Sequence, residues 1–249
     1  MKIEKVEGVV ISERNYGETS KLIVMITKEH GLISVMAKGA RKMRSTLRGI
    51  SSKLTYGYFH IYYKEGKIST LIDADIINSF KVIRRDLLTI GYASFVCELV
   101  GQVIKQSIMS KDLEVIYDYF ISSLIKINEG FDPLVITNIL ELKLLPFLGV
   151  NPMLDECAVC GDVTSIVTVS ADKFGFLCQK CRTNEYIVND KTIKFLRMFY
   201  YVDISKISKL EISDKVKNEI NYFIDDFYDK HTGLYLKSKQ FLKKIEVIS

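Results

Sequence analysis

Tryptophan is absent from the 249 residues, and proline and histidine occur three times each. So little proline excludes a collagen-like chain and a polyproline linker. An apolar content of 48% beside 26% charge excludes a disordered chain. No uncharged apolar stretch approaches the roughly 18 residues of a membrane span. The opening MKIEKVEGVVISER has no apolar signal-peptide segment. Neither a transmembrane helix nor a secretory leader is expected. Five cysteines are too few for a disulfide scaffold, so a reducing cytosol is the expected compartment. Catalytic signatures are missing as well: there is no Gly-rich phosphate loop, no G-x-S-x-G and no H-E-x-x-H. The acidic pairs Asp73/Asp75 and Asp225/Asp226 read as surface carboxylates, one pair on a strand and one on the polar side of a helix. A non-enzymatic protein is expected.

One sign of charge is missing locally. Residues 30–64 hold no aspartate or glutamate but seven basic residues: Lys38, Arg41, Lys42, Arg44, Arg48, Lys53 and Lys64. The whole net charge of +5 lies in residues 1–80, and the rest of the chain is neutral. Such focused potential attracts a polyanion, nucleic acid first. A solvated basic loop and an anionic membrane surface are the alternatives on charge alone.

Five segments rich in Val, Ile, Thr and Tyr predict strands over 3–14, 19–27, 31–37, 55–63 and 68–77, broken by Tyr16-Gly17, His30-Gly31 and Glu65-Gly66. One long basic connection, 38–54, separates the third from the fourth. This fits a small β barrel, an OB-fold or an SH3-like barrel. Alternation in the fourth segment puts Gly57, Phe59, Ile61 and Tyr63 toward a core. Tyr56, Tyr58, His60 and Tyr62 face outward, either to stack bases or to pack against the helical part of the chain. His30 and His60 have no partner histidine and read as no metal ligand.

Beyond residue 80 the apolar period becomes helical. Helices are predicted over 83–107, 112–128, from Asp132-Pro133 to about Leu145, and over 190–203, 213–230 and 238–246. Cys97 lies within the first and reads as a small buried hydrophobe. The expected organisation is a β-barrel domain at 1–80 and an α-helical domain at 81–249, with an insertion at about 153–188.

That insertion carries Cys157, Cys160, Cys178 and Cys181, two C-x2-C pairs 17 residues apart. The spacing matches a four-thiolate zinc site, and four protein sulfurs fill the tetrahedral shell of Zn²⁺. One structural zinc is therefore expected. A redox C-x-x-C would not come twice at this spacing, and an iron–sulfur cluster has no electron-transfer context. The segment from Thr164 to Leu177 predicts a hairpin turning near Asp172–Gly175.

The run GVVISERNYGETSKL (Gly8–Leu22) resembles the start of the RecO family of recombination mediators. TKEHG (Thr27–Gly31) and KGARK (Lys38–Lys42), followed by Ser45, Leu47, Arg48 and Gly49, resemble that family's basic loop. The order of barrel, helices, four cysteines and helices is similar too, as is HTGLYLKSKQFL (His231–Leu242). Met43 departs from the Pro or polar residue expected there. The resemblance implies a cytoplasmic, nucleoid-associated protein that binds single- and double-stranded DNA and anneals strands. It also implies partners: RecR, the acidic-apolar tail of single-strand-binding protein and, indirectly, RecA. Lys38, Arg41, Lys42, Arg44 and Arg48 are the expected phosphate contacts. The tyrosine face and the C-terminal Lys237, Lys239, Lys243 and Lys244 are the next candidates for DNA. A zinc-containing RNA-binding or scaffold protein is the rival class.

Overall fold

The computed structural model describes residues 2–106 and 110–246. Five strands come first: β1 (Ile3–Tyr16), β2 (Ser20–Thr27), β3 (Gly31–Ala37), β4 (Tyr56–Tyr62) and β5 (Ser69–Asn78). A one-turn helix, α1 (Leu47–Ile50), sits in the long β3–β4 connection. The strands close in the order β1-β2-β3-β5-β4. Two local features allow closure. β1 bends at a bulge between Val10 and Ser12, so its first half pairs with β4 and its second half with β2. At the other end β3 and β5 meet in a short parallel pair, Val35 with Ser69 and Met36 with Thr70. This is OB-fold connectivity. Strand alternation buries Val6, Val10, Ile23, Met25, Val35, Phe59, Ile61 and Leu71 inside.

Six longer helices come after the barrel: α2 (Leu87–Gln106), α3 (Ser110–Asn128), α4 (Pro133–Leu144), α5 (Asp190–Tyr201), α6 (Asp214–His231) and α7 (Lys237–Glu246). The hairpin β6 (Ile166–Ser170) and β7 (Gly175–Cys178) lies between α4 and α5. Asp132 caps α4 by accepting from the Leu134 and Val135 N–H groups, and Pro133 occupies its first position. Ser213 is extended before α6 but makes no side-chain cap bond. Val216, Ile220, Phe223, Ile224 and Phe227 of α6 are buried on one face, as the helical period predicts.

One helix is more apolar than its interrupted runs suggest, and one expectation needs correcting. α2 is long and apolar enough to cross a membrane, although no uncharged run suggested it. More than half of that stretch is buried inside the protein, and a helix buried this widely is the central core helix. Its Cys97 is buried, which pushes the thiol pKa up to about 12. Asp225 is no surface carboxylate. Lys239 of α7 reaches Asp225 Oδ1 at 2.6 Å and the buried Glu141 Oε1 at 2.9 Å. α7 packs chiefly against α2 and brings Lys239 over Asp225 of α6.

The helical core continues into the barrel. Val9, Ile26, Leu54, Tyr56 and Phe80 share one buried cluster with Tyr92, Val96, Tyr117 and Phe120. Glu7 of β1 sits at this junction. Its Oε1 accepts from the Tyr56 hydroxyl at 2.6 Å and from the Tyr117 hydroxyl at 3.4 Å.

Candidate metal centre and candidate nucleic-acid interface

The four Sγ atoms of Cys157, Cys160, Cys178 and Cys181 lie within 4.8 Å of one another, and those of Cys160 and Cys178 are 3.6 Å apart. Zn–S bonds of about 2.3 Å in a tetrahedron require sulfurs about 3.8 Å apart. The donor set therefore fits a metal ion such as zinc. Each pair is delivered by a backbone turn. The Cys157 carbonyl accepts from Gly161 N–H at 2.9 Å, and the Cys178 carbonyl accepts from Cys181 at 3.1 Å and Arg182 at 3.0 Å. Gly161 has φ +73°, which favours glycine. Gly175 is fixed by crowding, since a Cβ there would lie 2.1 Å from the Met153 carbonyl oxygen. Asp162 holds the first turn through the N–H and hydroxyl groups of Thr164 and Ser165, which keep its carboxyl well below the usual range.

Without a cation the sulfurs conflict. Burial opposes ionisation of Cys157, but the N–H groups of Cys178, Val159 and Cys160 outweigh it and hold its pKa at about 6. The neighbouring Cys160 and Cys178 push Cys181 the other way, up to about 12. Four thiolates this close become compatible once a divalent ion sits among them.

The basic connection is more ordered than a solvated loop. Ala40, Ile50 and Leu54 are buried and pin it to the barrel. Arg41 N–H donates to the Thr19 carbonyl at 2.8 Å, and its guanidinium donates to the carbonyls of Gly17 at 3.2 Å and Glu18 at 3.0 Å. The connection thus folds back onto the β1–β2 turn. Lys38, Arg41, Lys42, Arg44 and Arg48 are all exposed, and none is ion-paired to a carboxylate among the described residues. Met43 projects between Lys42 and Arg44 and is 89% exposed. Lys53 leaves the set, because its Nζ donates to Ser94 Oγ of α2 at 2.9 Å.

The outward face of β4 divides. Tyr56 is buried at the helical junction and stacks on Phe80, with ring centroids 6.2 Å apart. Tyr58 and Tyr62 stay exposed. Lys5 lies 4.4 Å above the Tyr58 ring, and Asp75 lies 3.8 Å from Lys5 and 3.3 Å from His60. His30 stacks on Tyr63 and pairs with Glu4, so neither barrel histidine meets a second histidine. Of the C-terminal lysines, Lys239 is held inward by Glu141 and Asp225, and the side chain of Lys243 lies outside the described residues. Sequence reading misses that cluster. Its one signal is Glu141 itself, an acid set between Leu140 and Leu142 in α4.

The family model described as Recombination protein O N terminal matches residues 1–80, and the one described as Recombination protein O C terminal matches residues 84–240. The chain is 36% identical to the DNA repair protein RecO of Bacillus subtilis (strain 168) over 247 residues, covering 98% of this chain and 95% of that protein. Identity to the DNA repair protein RecO of Bacillus cytotoxicus is 36% over 246 residues, covering 98% of each. For the protein of the same name from Listeria monocytogenes serotype 4b it is 34%, covering 98% of this chain and 95% of the relative. With matches running from end to end, the chain belongs to the RecO family of DNA repair proteins.

Proposed function

We propose that this chain is a non-enzymatic recombination mediator of the cytoplasm. It binds and anneals DNA strands and, with RecR, promotes RecA loading on gapped DNA coated with single-strand-binding protein. The observation that carries the reading is the β3–β4 connection, which presents five exposed cations without carboxylate partners among the described residues and is tied to the β1–β2 turn through Arg41. Lys38, Lys42, Arg44 and Arg48 contact phosphates, which positions DNA without reading its sequence. Arg41 both orders the connection and adds charge. Residues 1–80 form the DNA-binding unit. Residues 81–249 form the helical unit, whose insertion at about 153–188 takes one structural Zn²⁺ on Cys157, Cys160, Cys178 and Cys181. The helical unit also receives the tail of single-strand-binding protein. Along α5 and the residue after it, Lys194, Arg197, Met198, Tyr201 and Val202 line a groove of about 490 Å³ that pairs apolar surface with cations. That chemistry suits an acidic-apolar segment.

Annealing of complementary oligonucleotides with no nucleotide present tests the reading. The protein should accelerate pairing, and replacing Lys42, Arg44 and Arg48 by Ala should abolish the acceleration. Pairing at the uncatalysed rate with the intact protein refutes the proposal.

A further inference from the structure

Between the β6–β7 hairpin and α6 runs a groove used by neither the metal centre nor the basic connection. We propose that it binds an arginine- or lysine-bearing peptide segment of a partner protein. Its volume is about 640 Å³, within the roughly 300–1,000 Å³ of ligand clefts. The walls are already set. Lys230 of α6 pairs with Asp172 in the hairpin turn at 2.8 Å and with Asp226 at 2.9 Å. Phe174 at the hairpin tip meets Phe227 edge-on, with centroids 5.8 Å apart, and His231 Nε2 donates to the Ala171 carbonyl at 2.9 Å.

Charge selects the ligand. Asp172, Glu185, Glu219 and Asp226 line the groove, against Lys230 as the one cation of the lining. One oxygen of Glu219 accepts from Asn189 N–H at 2.9 Å and from the Thr192 hydroxyl at 2.5 Å. Its other oxygen, Oε1, has no hydrogen-bond donor among the described residues. That oxygen is buried, so what the groove presents to a ligand is its charge: four carboxylates against one lysine leave the lining net negative. Phosphate is repelled from such a site, so it is no extension of the DNA surface.

Apolar and aromatic groups supply the rest. Val169, Val188 and Phe223 line the groove, where an aliphatic stem can lie. Tyr186 and Tyr222, 66% and 75% exposed, stand along it. Tyrosine faces attract ammonium and guanidinium groups and stack on the latter. Bases also stack on tyrosine, but the attached phosphates would meet four carboxylates. A cationic peptide satisfies both features at once. The inference uses no residue of the basic connection and stands apart from the DNA reading.

Fluorescence anisotropy on the full chain tests it. The probe is a labelled octapeptide alternating arginine and leucine, compared with one alternating glutamine and leucine. The arginine probe should bind, and the glutamine probe should bind at least roughly tenfold more weakly because it lacks the charge. Asn218→Lys and Tyr222→Ala alter exposed lining residues that carry no core. Each should weaken the arginine probe at least roughly fivefold, the first by repulsion and the second by loss of the ring face. Circular dichroism and binding to a single-stranded oligonucleotide should stay unchanged in both variants. Equal binding of the two peptides, no binding of the arginine probe, or undiminished binding to Asn218→Lys would each overturn the proposal.

Discussion

A lysine held between two carboxylates away from water is stable only while its charge persists. Burial works against the Lys239 cation, but Glu141 and Asp225 outweigh burial and raise its pKa. A raised folded-state pKa stabilises fully below the unfolded value of about 10.4 and is lost as pH climbs through the higher folded value. This contact should therefore contribute evenly through the neutral range, and the part that depends on the lysine charge should be lost only as pH climbs above about 10.4. Lys239→Met removes the cation shared by two carboxylates and should cost about 3–5 kcal/mol in a denaturant titration. Adding Glu141→Gln should recover part of that loss. An unchanged midpoint in the single variant would show the cluster to be energetically idle. At this scale the sequence is legible where one residue's chemistry decides its role. Cys157, Cys160, Cys178 and Cys181 converge because of their spacing, while Cys97 is buried by its helical period. It is illegible where a partner arrives from far along the chain, as Lys239 does 98 positions from Glu141.

Each of the two candidate segments is an element held by its neighbours. The hairpin is tied to α6 by Phe174, Lys230 and His231, so its loss should be felt beyond the cysteines. Elemental analysis should find one zinc per chain. Chelation under reducing conditions, or Cys181→Ser, should release it and lower the thermal midpoint, because metal binding to such a module is folding free energy. Cys97→Ser should keep the metal in full. A metal content near zero in the native protein would refute the site. The basic connection makes a different prediction. Each phosphate contact adds about −0.7 to the slope of log K against log salt on single strands, so five give about −3.5. Replacing Lys42, Arg44 and Arg48 by Ala should flatten the slope by about two units and weaken all sequences alike. Arg41 is left in place because it ties the connection to the Gly17 and Glu18 carbonyls. An unchanged slope with normal circular dichroism would move the DNA site to Tyr58 and Tyr62. Strand and helix limits were legible to within a few residues because hydrophobic period and Gly/Pro breaks set them. Helix α1 was not, since a single turn anchored by Ile50 has no period to read.

At the scale of the whole molecule, sequence shows two regimes of periodicity meeting near residue 80 and does not show how firmly they are joined. The junction is decided by tertiary packing. Tyr56 turns from an outward barrel position into the shared core, and Phe80 is fully buried beside it. Phe80 adopts φ +46°, and its N–H donates to Asn78 Oδ1 at 2.7 Å. Arg84 then clasps the turn from the helical side through the carbonyls of Ser79 and Lys53. A core that runs through both parts makes them unfold together. Calorimetry should give one transition, with far- and near-ultraviolet dichroism changing in step. Phe80→Ala opens a cavity at the joint and should cost about 3–5 kcal/mol. It should lower the midpoint of both signals together, with the barrel losing no more than the helices. Two resolved transitions, or a fall confined to one signal, would show that the barrel and helices are stable units lightly docked. With one transition, the proposed DNA contacts of the barrel and the proposed partner contacts of the helices would belong to a single cooperative unit. The distance between them is then fixed by the fold and not by a linker.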